Sequence, residues 1–170
     1  RSENILSLRN KAGLLSTGAN TLRGIGSTME WLGGTNTVDA GGKITDHHWL
    51  ISGGLNTVKA GGEMVVEAGT TKPSGLELTA SATPLIRLES AAGTPGVLKL
   101  SNDVVVRPLS GSTVAAQIVS EGVGAVAGTI LLEGARTLDV KAGDYAGLRI
   151  TADVGNLGSS SGSLVKIGGG

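Results

Sequence analysis

The sequence predicts an all-β protein that folds as a parallel β-helix, a solenoid made by a single chain. The main observation is an internal repeat, because the unit GGTNTVDAGGKIT at 33–45 returns twenty residues later as GGLNTVKAGGEMV at 53–65. Repeats with a period near twenty and glycine pairs at the turns are typical of stacked coils. The second observation is a series of short runs in which apolar residues alternate, such as LELTAS at 76–81 and LIRLES at 85–90. Such runs fit a sandwich or a solenoid, and the repeat favours a solenoid of roughly eight coils.

The composition agrees with a narrow interior filled by small side chains. The chain has 170 residues, with 29 glycines, two tryptophans, one tyrosine and no phenylalanine. Its core must therefore consist mainly of aliphatic side chains rather than of large aromatic rings. With 14 basic and 14 acidic residues, no charge excess favours nucleic acid or an anionic membrane. The absence of cysteine excludes disulfides and thiolate metal sites, and no run approaches the roughly 18 apolar residues that span a bilayer.

We expect one solenoid over the whole of 1–170. Residues 1–15 mix apolar and charged residues without a clear period and are predicted to be an opening or cap segment. The clear repeats occupy 16–69, where GANTL at 18–22 looks like a first, weaker copy. Residues 70–170 are predicted to form degenerate coils. Because the chain opens with arginine and without a signal peptide, we expect a mature product or a segment of a longer protein.

The glycine pairs of the repeat are predicted to form the corners of the coils. Only glycine adopts positive φ at low cost, so a pair at each end of a short strand indicates a tight turn. The predicted corner glycines are Gly33, Gly34, Gly41, Gly42, Gly53, Gly54, Gly61 and Gly62. Alternation between these corners indicates half-buried strands. The predicted inward residues of those strands are Val38, Ala40 and Ile44 and, one copy later, Val58, Ala60 and Met64.

If one repeat is one coil, equivalent residues lie on neighbouring rungs about 4.8 Å apart. Asn36 would then lie beside Asn56, where the two amides could form a hydrogen-bonded ladder. Two changes of charge sign accompany the repeat and predict cross-rung pairs, which are Asp39 with Lys59 and Lys43 with Glu63. Opposite charges on neighbouring rungs contribute about 0.2–1 kcal/mol each.

The unit GG-x-NTV-x-AGG resembles the short passenger repeats of self-associating autotransporter adhesins of Gram-negative bacteria. Residues 129–170 resemble a second module, the autotransporter-associated β-strand repeat, in which a segment like TILLEGARTLDVKAGDYAGLRITADV precedes a Gly/Ser-rich turn and SLVKIGGG. The Thr-Leu-x-Leu strand that usually continues that module is not in this sequence. The resemblance implies a right-handed parallel β-helix that is exported to the cell surface. It also implies the absence of cysteine, which is usual in such passengers.

The two histidines, His47 and His48, are the only imidazoles. Neighbouring residues of a strand point to opposite faces, so we expect a surface or rung-stacked pair rather than two ligands of one metal. A surface metal held by His47 and Glu67 is the lesser alternative. Trp31 and Trp49 each precede a glycine pair and are predicted to stack as part of the structure. An external platform for carbohydrate is the alternative for these two rings.

Three further patterns have a catalytic or cofactor-binding meaning in other folds, and we interpret them here without one. GSSSG at 158–162 satisfies G-x-S-x-G, but a nucleophile elbow needs a helix after it. GVGAVA at 122–127 matches a loose dinucleotide fingerprint, but a predicted strand follows in place of the required helix. The carboxylates that a β-helical polysaccharide enzyme would use cannot be placed on one face. The scattered aspartates are Asp39, Asp46, Asp103, Asp139, Asp144 and Asp153.

These observations predict a structural protein with no catalytic residue, no cofactor and no metal. The first hypothesis is an adhesin or filament segment at the bacterial cell surface that self-associates or contacts a surface, including surface glycans. The alternative is a bacteriophage tail-fibre or virion-decoration protein in which three chains form a β shaft. A polysaccharide-active β-helix enzyme is the remote alternative. Neither nucleic-acid binding nor membrane insertion by this segment is expected.

Overall fold

A computed structural model of the chain describes residues 8–24, 27–69, 73–109, 114–122, 126–141, 147–159 and 161–168. These residues form twenty short β-strands, β1 to β20, and no helix. None of these ranges therefore contains a helix that could cross a membrane. All but one of the strands belong to three parallel sheets, which we call A, B and C.

Each sheet takes one strand from every coil. Sheet A consists, in spatial order, of β1 (Leu8–Asn10), β4 (Met29–Trp31), β7 (His48–Ile51), β10 (Gly75–Thr79), β14 (Val104–Arg107), β17 (Ala135–Val140) and β20 (Ser163–Gly168). Sheet B consists of β2 (Leu14–Ser16), β5 (Thr35–Val38), β8 (Leu55–Val58), β11 (Ile86–Ala91), β15 (Ala116–Gly122) and β18 (Leu148–Ile150). Sheet C consists of β3 (Thr21–Arg23), β6 (Lys43–Asp46), β9 (Glu63–Val66), β13 (Val97–Leu100), β16 (Thr129–Leu132) and β19 (Asp153–Asn156). The remaining strand, β12 (Thr94–Pro95), pairs antiparallel with the end of β11.

The chain visits sheets A, B and C in turn, so three successive strands make one coil. Every strand in a sheet pairs in parallel with its counterpart in the adjacent coil. The predicted parallel β-helix is therefore confirmed. The described strands complete six coils, and β20 begins a seventh. This count is lower than the roughly eight coils expected from a constant period.

The count is lower because the coils lengthen along the chain. Met29 pairs with Trp49, which is a step of 20 residues. Trp49 pairs with Leu76 and Val104 pairs with Leu138, so the step grows to 27 and then to 34 residues. The extra residues lie in the connections between strands, while the strands themselves stay short. The twenty-residue period therefore measures the step between the second and third coils and not the later ones.

The first coil begins earlier than the sequence predicts. β1 and most of β2 lie in 1–15, the segment expected to be an opening or cap, and they pair with β4 and β5. GANTL at 18–22 is also out of phase with the repeat. Leu15 is the residue that pairs with Asn36, whereas Asn20 lies just before β3.

The core consists of inward residues that stack one per coil. The clearest column, in sheet A, is Leu8, Met29, Trp49, Leu76, Val104 and Leu138, and the exposed Lys166 continues it on β20. Trp31 and Trp49 are both fully buried, and their ring centroids lie 5.1 Å apart in an edge-to-face arrangement. The tryptophans therefore contact each other inside the helix, as the structural interpretation predicts, and do not form an external platform.

The inward positions of the repeat agree in part with those predicted. The residues that are inward and fully buried are Val38, Ile44, Val58 and Met64. The prediction for the alanines was wrong, because Ala40 is exposed and Ala60 is half-buried. Both alanines lie in the turn that follows the strand. The alternating inward residues of β5 are therefore Asn36 and Val38, both of which are buried.

The two members of each glycine pair have different roles. One member has positive φ, and these residues are Gly34 (+71°), Gly41 (+74°), Gly54 (+88°) and Gly61 (+78°). The other member lies against the preceding coil. A Cβ on Gly42 would overlap Thr17 Oγ1 and the Gly18 carbonyl oxygen, and one on Gly62 would lie 2.8 Å from the Asp39 carbonyl oxygen. The pairs therefore make corners that are both sharp and closely stacked.

Candidate functional site

An amide ladder connects the first three coils. Asn36 and Asn56 are register partners in sheet B, and both are fully buried. Asn36 Nδ2 donates to Asn56 Oδ1 at 2.6 Å, which is the contact that the repeat predicts. The ladder extends further, because Asn10 Nδ2 donates to Asn36 Oδ1 and Asn56 Nδ2 donates to the Leu85 carbonyl oxygen, each at 2.7 Å. Since buried amide groups are costly to leave unpaired, this ladder favours one register of the coils.

The first predicted charge pair lies at the corner between sheets B and C. Lys59 Nζ donates to Asp39 Oδ1 at 2.9 Å, one coil away. Ser16 Oγ and the Gly18 backbone N–H, from the coil on the other side, donate to Asp39 Oδ2. The hydrogen bond from Ser16, followed by that from Lys59, lowers the pKa of Asp39. The carboxylate therefore links three coils at this corner.

The second predicted pair is part of a triad. Lys43 Nζ lies 3.6 Å from Glu63 Oε2, and Lys99 Nζ donates to Glu63 Oε1 at 2.8 Å. The hydrogen bond from Lys99 is the main cause that lowers the pKa of Glu63. Further ion pairs on the outer faces are Arg9–Glu30, Arg23–Glu67, Arg87–Glu121, Arg107–Glu77 and Lys141–Asp139. Exposed pairs stabilise weakly one by one, about 0.2–1 kcal/mol each, but here most of them connect successive coils.

A one-residue corner brings several polar side chains together. His47 alone connects β6 to β7, and the preceding Asp46 is fully buried. Asp46 Oδ1 accepts a hydrogen bond from the His47 backbone N–H at 2.7 Å and lies 2.9 Å from His47 Nδ1. Ser27 Oγ donates to Asp46 Oδ2 at 3.2 Å. His48 Nδ1 lies 2.8 Å from Thr28 Oγ1. This polar corner, defined by these five residues, collects one carboxylate, two imidazoles and two hydroxyl groups.

The expectation for the histidines was a surface or rung-stacked pair, and the structure does not place them as an exposed pair. The His47 side chain is 16% exposed, and His48 is buried, because the crossing turns both into the polar corner. Their Nδ1 atoms face different groups, so the two rings do not converge on one ion. Glu67, the residue proposed to share a metal with His47, forms an ion pair with Arg23 at 3.1 Å. No group of three or more metal-ligating side chains occurs among the described residues.

A groove beside the β11–β12 turn brings two acidic side chains close to each other. Its lining residues are Glu89, Ser90, Ala91, Ala92, Glu121 and Gly122. Glu89 and Glu121 are register partners, so two like charges face each other across a rung. Arg87 Nε lies 3.0 Å from Glu121 Oε1 and offsets one of them. The lining therefore offers two carboxylates that each have a basic neighbour, Arg87 for Glu121 and Lys59 for Glu89, rather than a set of metal ligands.

The motifs interpreted as turns fall partly outside the described residues. Ser160, residues 123–125 and Asp144 lie outside them. Gly158 has a φ of +64°, and β20 follows that turn where a nucleophile elbow needs a helix. The described aspartates are spread over the three sheets, with Asp139 in sheet A, Asp39 beside sheet B and Asp153 in sheet C.

The first and last described coils expose large apolar side chains. Leu14 of β2 is 78% exposed, and Val165 and Ile167 of β20 are 52% and 48% exposed. The inward columns also change at these coils. Asn10 pairs with Trp31, and Lys166 pairs with Leu138, so polar residues continue two apolar columns. Polar residues at the ends of a repeat array are features of a cap, and here they lie beside uncovered apolar surface.

Sequence reasoning missed several participants in these clusters, and the charged ones are Asp46 and Lys99. Asp46 was considered only as a scattered aspartate, although an acidic residue directly before His47 and His48 was a usable signal of a polar corner. Lys99 was missed because it lies 36 residues from Glu63, which no multiple of the twenty-residue period matches.

A comparison of the chain with protein-family models, with curated proteins and with solved structures found no match. The resemblance to autotransporter repeats therefore depends on the motifs at 33–69 and 129–170 alone.

Proposed function

We propose that this chain is a structural segment of an extracellular protein, a β-solenoid that mediates self-association or attachment at a bacterial cell surface. The proposal assigns it no catalytic activity. Its support is the resemblance to autotransporter passenger repeats together with a fold in which amide and charge pairs connect the first five coils to one another.

The observation that carries self-association is the apolar surface of the end coils. Val165 and Ile167 are about half exposed on β20. Exposed apolar side chains that lie together on one strand favour contact with another molecule. The first described coil also has an exposed apolar side chain, Leu14. We infer that the partner is a second copy of this chain.

Lys166 limits how two copies can meet. It continues the inward column of sheet A beyond Leu138. Burying an unpaired ammonium group against the apolar column of another copy would be costly, which disfavours simple coaxial stacking. The outward side chains of the same strand, Val165 and Ile167, supply the apolar contact instead. We therefore expect end coils to associate side by side.

Sedimentation velocity over a wide range of protein concentration tests this proposal. The wild-type chain should form larger species as its concentration rises. The double variant Val165→Lys/Ile167→Lys should stay monomeric, since it places two charges on the proposed contact. The matched control is Leu55→Lys, which makes the same kind of change on β8, where Leu55 is 45% exposed. A monomeric wild type at every concentration, or equal loss of association in the control, would refute association through the end coils.

Native mass measurement separates this proposal from the trimeric shaft of a bacteriophage protein. Each coil is closed by three strands of one chain, so three chains need not wind together to cover the core. A trimer that survives dilution would favour the shaft. A reversible series of oligomers would favour the adhesive segment.

A further inference from the structure

Both histidines of the chain lie in the polar corner, and neither takes part in the proposed self-association. His48 is the first residue of β7 and is 8% exposed. Its Nδ1 lies 2.8 Å from Thr28 Oγ1, which is the one side-chain partner of this ring among the described residues. A neutral imidazole exchanges one hydrogen bond with this hydroxyl group, whereas an imidazolium ion would carry a full charge in a buried place, which is costly.

The charged groups around His48 come from three successive coils. Asp46 and His47 precede it in the chain, Glu30 lies on β4 and Glu77 lies on β10. Burial is the main cause that lowers the pKa of His48, and His47 acts in the same direction. Glu77, Asp46 and Glu30 oppose that shift but do not cancel it. His48 therefore stays neutral where an exposed imidazole would already carry a proton.

A short segment is held against this corner from the next coil. We call residues 67–69 the strap. The Glu67 backbone N–H donates to the Asp46 carbonyl oxygen at 2.8 Å. Gly69 lies directly on His47, because a Cβ at Gly69 would be 2.9 Å from His47 Cβ. Beyond the strap, the Gly75 backbone N–H donates to the His47 carbonyl oxygen at 2.7 Å. The crossing at His47 therefore anchors the chain on both sides of the excursion between β9 and β10.

We propose that the polar corner is an acid-sensitive latch, in which protonation of His48 loosens the crossing and releases the strap while the rest of the solenoid stays folded. The physical reason is that the charged ring gains hydration when the corner opens, and the strap is held by the backbone of Asp46 directly before the two histidines. His48 has a lower pKa in the folded corner than its ordinary 6.5. The corner is therefore fully stable above pH 6.5 and loses stability as the pH falls through the lower, folded pKa.

Amide hydrogen exchange by NMR measures the opening directly. The reporters are the Glu67 and Gly75 amides. The reference is the Val97 amide, which donates to the Gly62 carbonyl oxygen at 3.0 Å at the opposite end of the sheet C strands. After correction for intrinsic exchange, the opening constants of the reporters should rise by up to tenfold per pH unit between pH 6.5 and the folded pKa. The reference amide should not change. The ring signals of His48 should titrate with a midpoint below 6.5.

Two matched variants assign the effect. His48→Gln removes the titrating ring and should abolish the rise, whereas His47→Gln removes the neighbouring imidazole and should retain it. A rise that persists in His48→Gln, or a His48 midpoint at or above 6.5, would overturn the latch. Equal opening of the Val97 amide would also overturn it, because the transition would then be global. If His48→Gln does not fold, the wild type decides, since ring titration and amide opening with different midpoints would exclude His48 as the cause.

Discussion

The substitution Asn36→Ala tests whether the amide ladder holds the coils together. Asn36 is fully buried, and its side chain donates to Asn56 Oδ1 at 2.6 Å and to the Gly33 carbonyl oxygen at 3.3 Å. It also accepts a hydrogen bond from Asn10 Nδ2 at 2.7 Å. Alanine removes all of these contacts and leaves the buried Asn56 Oδ1 without its donor.

The expected loss follows from those contacts. A buried polar group that loses its partner costs about 1–3 kcal/mol, and this applies in full to Asn56 Oδ1. Asn10 is only half-buried and can meet water, so its share is about 0.5–1.5 kcal/mol. With the weaker contact to Gly33, we expect the free energy of unfolding to fall by about 2–5 kcal/mol. For a domain of this size the melting temperature should fall by roughly 4–20 °C.

Urea unfolding followed by circular dichroism measures this loss. The matched control is Asn20→Ala, because Asn20 is exposed and its amide makes one hydrogen bond, to the Thr17 carbonyl oxygen at 3.0 Å. We expect the control to lose about 1 kcal/mol or less. If the two variants lose the same free energy, or if Asn36→Ala loses less than about 1 kcal/mol, the ladder does not have the role assigned to it.

Two more predictions concern the core and the corners. Trp49→Phe should lose about 1–3 kcal/mol more stability than Trp31→Phe, because Trp49 Nε1 donates to the Asp46 and Val65 carbonyl oxygens whereas the buried Trp31 Nε1 has no partner in the described part of the chain. Equal losses in urea unfolding would contradict the importance of those two hydrogen bonds. Gly42→Ala should cost about 1–3 kcal/mol, because the added methyl group would overlap the preceding coil at Thr17 and Gly18. The control is Gly155→Ala, whose Cβ would lie 3.5 Å from Leu131 Cδ2, and its stability should stay within about 0.5 kcal/mol of the wild type. If Gly42→Ala has the melting temperature of the wild type, the coils are not closely stacked at Gly42.

The repeat was sufficient to predict the second and third coils. Because 33–45 and 53–65 share their turn glycines, the same backbone path is followed twice and equivalent residues become register partners. The contacts of Asn36 with Asn56 and of Asp39 with Lys59 follow from that alone. The exposure of Ala40 was not predictable in the same way. Strict alternation would bury it, but the turn begins at the preceding residues and exposes it.

The polar corner could not be derived from the repeat. Asp46 receives a hydrogen bond from Ser27, and the excursion that follows Glu67 returns to the same corner through Gly75. These residues belong to connections of different lengths, so no period relates them. Their approach depends on where each connection rejoins the sheets.

The sequence by itself determined the all-β architecture and the register of its clearest coils, because short alternating runs and paired glycines restrict the backbone locally. The tertiary structure alone decided the number of coils, the third member of the Lys43–Glu63–Lys99 triad, the burial of His48 and the contact of His47 with Asp46. The physical reason is that a strand in a solenoid requires only that its inward residues fill the column and its backbone pairs with the next rung. The residues between strands can vary in number without breaking either condition, so the contacts made at the corners are not encoded in the period.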